Sequence, residues 1–281
     1  MRTEQLKIPA LDGYPLGATL RTPEGKPLGV IQIQSGTGIP QELYAHFAEY
    51  LTARGYVTLT FDYRGINQSS PDTLRGFEAK ITDWGRLDMA GIFDWVLDHY
   101  PDLKKTVIGH SMGGQMLGLM HNNHAIDQVF FIASCTGYWR DFQNPIRRLM
   151  PLWIFAMTWS TRVYGYATAR KLRQGENLPG GVALQFASWC ANPDYFQPDL
   201  QSGTVPLYFD QYDGPLTSLQ ITDDPMANQV TANKLLTFYP RAQKTVQRIA
   251  PEDLGVKKIG HTGYFSRKFR ESLWTGLVEQ L

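Results

Sequence analysis

The residues in this sequence best placed for covalent chemistry are Gly109-His110-Ser111-Met112-Gly113-Gly114, a G-x-S-x-G string followed by one more glycine. The string stands between a short apolar run, Thr106-Val107-Ile108, and a stretch with helical character that begins near Gln115. Where a strand turns sharply into a helix at a serine, the backbone is strained and its neighbours must be small, so the hydroxyl is pushed into the open. The flanking glycines supply that room. A serine hydroxyl is a weak nucleophile at neutral pH and needs a base to take its proton.

Six histidines compete for that role: His46, His99, His110, His121, His124 and His261. On a scaffold of this kind the acid and then the base follow the nucleophile along the chain. His121 and His124 sit at the far end of the helix that starts at the serine and point away from it. His261, in Ile259-Gly260-His261-Thr262-Gly263-Tyr264, lies on a glycine-flanked loop after the last strand and is the expected general base.

The acid that orients the imidazole should come just past the strand that precedes Thr222-Asp223-Asp224-Pro225. Two adjacent carboxylates cannot both face one ring. Asp224, a residue closer to the helix expected at Pro225, is the first choice. Asp223 is the second, and whichever is not used caps the helix or is solvated. Asp210 and Asp213, ahead of the strand, rank behind them. Acyl transfer also needs donors for a developing oxyanion, expected from the amide of Met112 and, in Ser35-Gly36-Thr37-Gly38, from the amide of Thr37.

Other chemistries find little support. Gly36-x-Gly38 lacks a third glycine at dinucleotide spacing, no phosphate-cradling G-x-x-x-x-G-K-[ST] occurs, and His121-x-x-His124 has no third ligand. Neither a cofactor nor a metal is expected.

The elements that must hold these residues read as alternating strands and helices. Apolar runs at 5–10, 16–21 and 30–33, separated by turn residues, predict an antiparallel pair feeding a central strand. Pro40 opens a helix carrying Tyr44, Phe47, Ala48 and Leu51 at helical spacing, which Gly55 ends before a strand over 56–61. Asp83 is placed to cap a helix with an apolar stripe from Met89 to Leu97. Strands over 106–108 and 129–133 follow, and the rhythm resumes later with a strand over 216–221, a helix over 225–239, a strand over 244–249 and a final helix after Tyr264. This order predicts an α/β fold, a mostly parallel sheet with helices on both faces.

Between 136 and 214 the rhythm breaks into an aromatic-rich, helical segment, so the chain divides into a core of 1–135 plus 215–281 and a cap inserted at 136–214. The insertion leaves and re-enters the sheet at the edge where the catalytic loops emerge, so Trp139 and Trp159 are candidate walls for a substrate, with His110 beside the nucleophile as a third contact. The same aromatics would otherwise serve a homo-oligomer contact or a membrane-facing element.

Composition narrows the partners. A chain of 281 residues with 43% hydrophobic content buries a sizeable core, and 27 Lys and Arg against 26 Asp and Glu argue against nucleic acid or an anionic membrane as the main partner. A small acyl substrate fits better. The first residues lack a signal-peptide apolar stretch, so the expected location is the cytoplasm. Cys135 and Cys190 have neither metal nor redox spacing and read as reduced, buried residues. The most apolar run, 149–159, is about half the length a spanning helix requires. Arg147, Arg148 and Arg162 bracket it, which makes peripheral membrane contact the second reading after a buried cap helix.

With these residues in place the sequence resembles the α/β-hydrolase superfamily along nearly its whole length. More narrowly, Gly36-Thr37-Gly38-Ile39-Pro40-Gln41, Phe61-Asp62-Tyr63-Arg64-Gly65-Ile66, Asp83-Trp84-Gly85, Gly137-Tyr138-Trp139 and Ile259-Gly260-His261 resemble uncharacterised bacterial α/β hydrolases of the serine aminopeptidase-like branch. The resemblance implies the α/β-hydrolase fold, favours Asp224 by its spacing, and gives Asp62 and Arg64 a structural role beneath the site. The expected activity is that of a carboxylesterase acting on a small or medium apolar acyl group. An acyltransferase or amidase on the same triad, and a non-catalytic ligand-binding member of the fold, are the alternatives.

Overall fold

The computed structural model describes residues 1–169, 175–203 and 205–281. Among the described residues ten strands form: β1 (Arg2–Pro9), β2 (Pro15–Thr22), β3 (Gly29–Gln34), β4 (Tyr56–Phe61), β5 (Lys105–His110), β6 (Gln128–Ile132), β7 (Tyr166–Ala167), β8 (Leu178–Pro179), β9 (Pro215–Ile221) and β10 (Gln243–Ile249). Eight of them make one sheet in the order β1-β2-β4-β3-β5-β6-β9-β10. β2 runs antiparallel to β1 and β4, and the remaining neighbours are parallel, with Ile31 opposite Thr106 and Val107 opposite Val129. The leading antiparallel pair and the central position of β3 match the sequence pattern.

Parallel strands need helical crossovers, and these cover both faces. Along β6 successive residues alternate between two apolar layers: Val129 and Phe131 face one, Phe130 and Ile132 the other. The first layer receives Ile92, Phe93 and Val96 of helix α2 (Ala90–His99). The second receives Phe47, Ala48 and Leu51 of helix α1 (Ala45–Ala53), together with Tyr264, Phe265 and Trp274 from the C-terminal segment. Every residue of β3 is buried, and in β5 all but Lys105 are. The two cysteines are free and buried.

Two helix starts differ from the sequence pattern. Asp83 is not an N-cap. It lies at the third position of the turn Ile81–Asp83, and its carboxylate accepts the amide of Lys80 at 2.9 Å. The helix after β9, α7 (Gln229–Leu236), begins four residues later than Pro225, because Asn228 caps it by accepting from the amides of Val230 and Thr231. Asp224 is thereby released from capping.

Between β6 and β9 the chain leaves the sheet. The short helix α3 (Met112–Gln115) follows Ser111 and precedes β6; beyond β6 come α4 (Ile146–Tyr164), the two-stranded ribbon β7-β8, α5 (Gly180–Ala191) and α6 (Gln197–Gln201). Gly165, at φ 85°, ends α4 in the left-handed conformation. The segment expected as an insertion also spans 170–174 and 204, which lie outside the described residues. Among the described residues, no helix is long and apolar enough to cross a membrane.

Candidate active site

Ser111 sits at the turn from β5 into α3 with φ 52° and ψ −114°, a left-sided conformation that costs a side-chain-bearing residue of order 1–3 kcal/mol. Tight packing imposes it. A Cβ on Gly109 would come 2.6 Å from the Gly114 amide nitrogen, and one on Gly113 would come 2.4 Å from the Gln34 carbonyl oxygen of β3. The turn is wedged between neighbouring strands, and the hydroxyl is what protrudes.

It protrudes towards His261. Oγ of Ser111 lies 3.0 Å from Nε2 of His261, and Nδ1 of the same ring lies 2.6 Å from Oδ2 of Asp224. A carboxylate can only accept, so Nδ1 carries the proton and Nε2 is left as an acceptor for the serine O–H. Asp224 is buried, and its other oxygen accepts the amides of Met226 at 2.9 Å and Ala227 at 3.1 Å. Burial alone would push this carboxyl up. The His261 charge, the hydrogen bond to the ring and the two amides outweigh it, and the net position is below the ordinary carboxylate value.

Asp223 faces elsewhere. Its two oxygens accept the amides of Ile259 at 3.0 Å and Gly260 at 2.9 Å, which holds the loop that carries His261. The adjacent pair therefore divides, one carboxylate on the ring and one on the ring's backbone.

The sequence model of the serine aminopeptidase (S33) family matches residues 25–179, just over half the chain. The chain belongs to this family. Solved structures share its fold. A serine hydrolase without lid from Xanthomonas campestris is 12% identical over 100% of this chain and 96% of its own, with a TM-score of 0.58. A carboxyl esterase from Bacillus coagulans gives 14%, 100%, 98% and 0.63, and an esterase from Exiguobacterium antarcticum gives 16%, 99%, 99% and 0.60. By family and by fold this S33 member is an α/β hydrolase, as the sequence motifs implied.

In this S33 member, Ser111 and His261 open onto a cavity of about 320 Å³ that Thr37 also lines. The neighbouring Gly36 is so close that a Cβ there would stand 3.3 Å from Cβ of Ser111. Its amide donates to the Tyr44 hydroxyl at 3.0 Å and so is turned away from the cavity, which Thr37 and Gly38 line. Met112 is buried directly after the serine.

His110 needs correction as a substrate contact. The ring is wholly buried, with Nδ1 2.7 Å from the Tyr44 hydroxyl and Nε2 3.0 Å from the His261 carbonyl, so neither nitrogen is available to a substrate. The carbonyl can only accept, which puts the proton on Nε2 and makes Nδ1 the acceptor from Tyr44. Burial, reinforced by His261, pulls this imidazole down to about 3, in keeping with a neutral ring. A chain of hydrogen bonds thus runs from Gly36 through Tyr44 and His110 to His261.

The aromatic walls also differ from expectation. Trp153 and Phe186, whose rings meet edge to face at 5.8 Å, line the cavity with Ser111. Trp159 lines an adjoining cavity that shares Trp153 and Leu178, and Trp139 lines neither. Trp139 instead packs on Tyr138 and under the Arg140 guanidinium. Tyr44 and Trp153 carried no separate signal in the sequence, since each occupies an apolar helical position like its neighbours.

Beneath the site, Asp62 and Arg64 do not pair with each other. Asp62 accepts the Gln41 amide at 2.8 Å and so ties down the loop after Thr37, and burial pushes it up to about 6. Arg64 grips Asp88 through Nε at 2.7 Å and Asp12 through both terminal nitrogens. Among the described residues no cluster of ligating side chains could hold a metal.

Proposed function

We propose that this protein is a serine esterase that cleaves small or medium apolar acyl esters through Ser111, His261 and Asp224. The observation that carries the reading is the line Ser111 Oγ, His261 Nε2, His261 Nδ1, Asp224 Oδ2, with contacts of 3.0 and 2.6 Å, opening on one cavity. His261 Nε2 takes the hydroxyl proton as Ser111 Oγ bonds to the acyl carbon. The carbonyl electrons move to oxygen, and the amides of Met112 and Thr37 donate to that oxyanion. As the tetrahedral adduct collapses, the bond to the alcohol breaks and the imidazolium returns its proton to the leaving oxygen. Water, deprotonated by the same ring, then attacks the acyl-serine and releases the acid.

Asp224 keeps its charge throughout and stabilises the imidazolium without taking its proton. Residues 136–214 act as a cap over this chemistry. Trp153 and Phe186, which it contributes, favour apolar acyl groups and exclude water from the oxyanion.

Labelling with a fluorophosphonate probe followed by peptide mapping tests the nucleophile whatever the natural substrate. The adduct is expected on Ser111 and absent from Ser111→Ala and His261→Ala. Labelling of another serine, or undiminished labelling in the His261 variant, would refute the assignment.

A further inference from the structure

One face of α4 has no counterpart in the machinery above. Leu149, Leu152, Phe155, Trp159 and Val163 are between 47 and 67% exposed. At about 100° per residue they share an arc of roughly 120° on the helix. The opposite side buries Met150, Met157 and Thr161, and Trp153 between the two reaches the Ser111 cavity. Soluble monomers seldom present so many large apolar side chains in one stripe.

The charge around the stripe has a single sign. Arg148 and Arg162 fall on or beside the arc at its two ends, Arg147 is next to the first, all three are exposed, and the helix has no acidic residue. From 136 to 169 the sequence carries four arginines and one acid, Asp141, which is held by Lys234 at 2.6 Å. The near-neutral total for the chain conceals this asymmetry and does not argue against an anionic surface as a partner.

We infer that α4 docks this protein on anionic lipid bilayers, with the stripe entering the acyl boundary and Arg148 and Arg162 meeting headgroup phosphates. A second copy of the chain suits the face less well. In a two-fold pairing of α4 with itself, arginines would oppose arginines at both ends with no acid on the helix to answer them. Docking would also set the cavity that Trp153 and Trp159 line, which adjoins that of Ser111, beside the lipid layer, where apolar acyl groups reside. The binding itself stands whether or not Ser111 is a nucleophile.

Flotation of the purified protein with vesicles of phosphatidylglycerol and phosphatidylcholine, against phosphatidylcholine alone, tests the inference. The protein should float with the anionic vesicles and partition at least tenfold less onto the neutral ones. The double variants Leu152→Ser/Phe155→Ser and Arg148→Gln/Arg162→Gln should each lower partitioning about tenfold with unchanged thermal melting, since all four side chains are exposed. The arginine variant serves alone if the other fails to fold. No flotation with anionic vesicles, or equal flotation of the folded variants, overturns the inference. So does a dimer in sedimentation velocity that Leu152→Ser/Phe155→Ser dissolves.

Discussion

The Tyr44 hydroxyl lies 2.7 Å from Nδ1 of His110 in a site with no access to solvent. Through this contact the loop that carries Thr37 and the loop that carries His261 share one hydrogen-bonded chain, since Tyr44 also accepts from Gly36 and His110 donates to the His261 carbonyl. On the proposed mechanism Tyr44 acts as a positioning residue, reaching the reaction only through those two loops.

Removing the hydroxyl in Tyr44→Phe leaves the Gly36 amide and His110 Nδ1 buried without partners, a cost of about 1–3 kcal/mol each. Both loops should loosen. Steady-state kinetics on a soluble ester should show kcat down about tenfold with KM little changed. A variant that raised KM alone would assign Tyr44 to the binding wall instead.

The division between the two aspartates predicts unequal losses. Asp224→Asn replaces the acceptor that fixes the His261 tautomer and should lower kcat/KM by a factor on the order of 10³–10⁴. Asp223→Asn keeps one acceptor oxygen for the Ile259 and Gly260 amides, and a loss of about tenfold is expected. Equal losses in the two variants would remove the distinction.

His110 makes stability depend on pH. Its folded position, about 3, is below the usual histidine value of about 6.5. Between those limits the unfolded chain binds a proton that the folded chain refuses. Stability is therefore fully present above about 6.5 and is lost as pH falls towards about 3. Urea unfolding at pH 7 and pH 5 should differ by about 2 kcal/mol less in His110→Gln than in the parent, one proton's linkage over that interval.

Trp153 and Phe186 are expected to set chain-length preference. Trp153→Ala and Phe186→Ala should raise KM several-fold for longer acyl chains and leave fluorophosphonate labelling intact, because the truncations remove wall area and no catalytic contact. Trp139→Ala, outside the cavity lining, should leave the substrate profile where it was. A profile shifted by Trp139→Ala and not by Trp153→Ala would place the acyl site elsewhere.

The turn that carries Ser111 was legible in the sequence because its constraint is local: a strand, small residues and a helix within ten positions dictate where Ser111 stands. His261 was legible for a similar reason, a histidine between glycines after the last strand. The aspartates needed three dimensions to separate, since neighbouring residues of one type differ only in where the backbone aims them, and the late start of α7 at Asn228 decides that aim. Trp139 and Trp159 were reasonable walls by composition. Which aromatics of a helical segment face a cavity depends on how its helices pack, and the pairing of α4 with α5 selected Trp153 and Phe186. His110 departs from the sequence-based expectation because adjacency in sequence to a partly exposed serine says nothing about the opposite side of the turn.

Ser111 and His261 rest on very unequal foundations. The serine follows β5, a strand buried along nearly its whole length between β3 and β6, whereas the histidine is reached by way of β10, an edge strand whose residues are mostly exposed. On gentle warming, amide hydrogens of β5 should exchange with solvent only when the whole molecule opens, and those near 255–262 should exchange through small local excursions. Ser111 and His261 would then part well below the melting temperature, and the proposed esterase activity would fade and return on cooling while the sheet stayed intact.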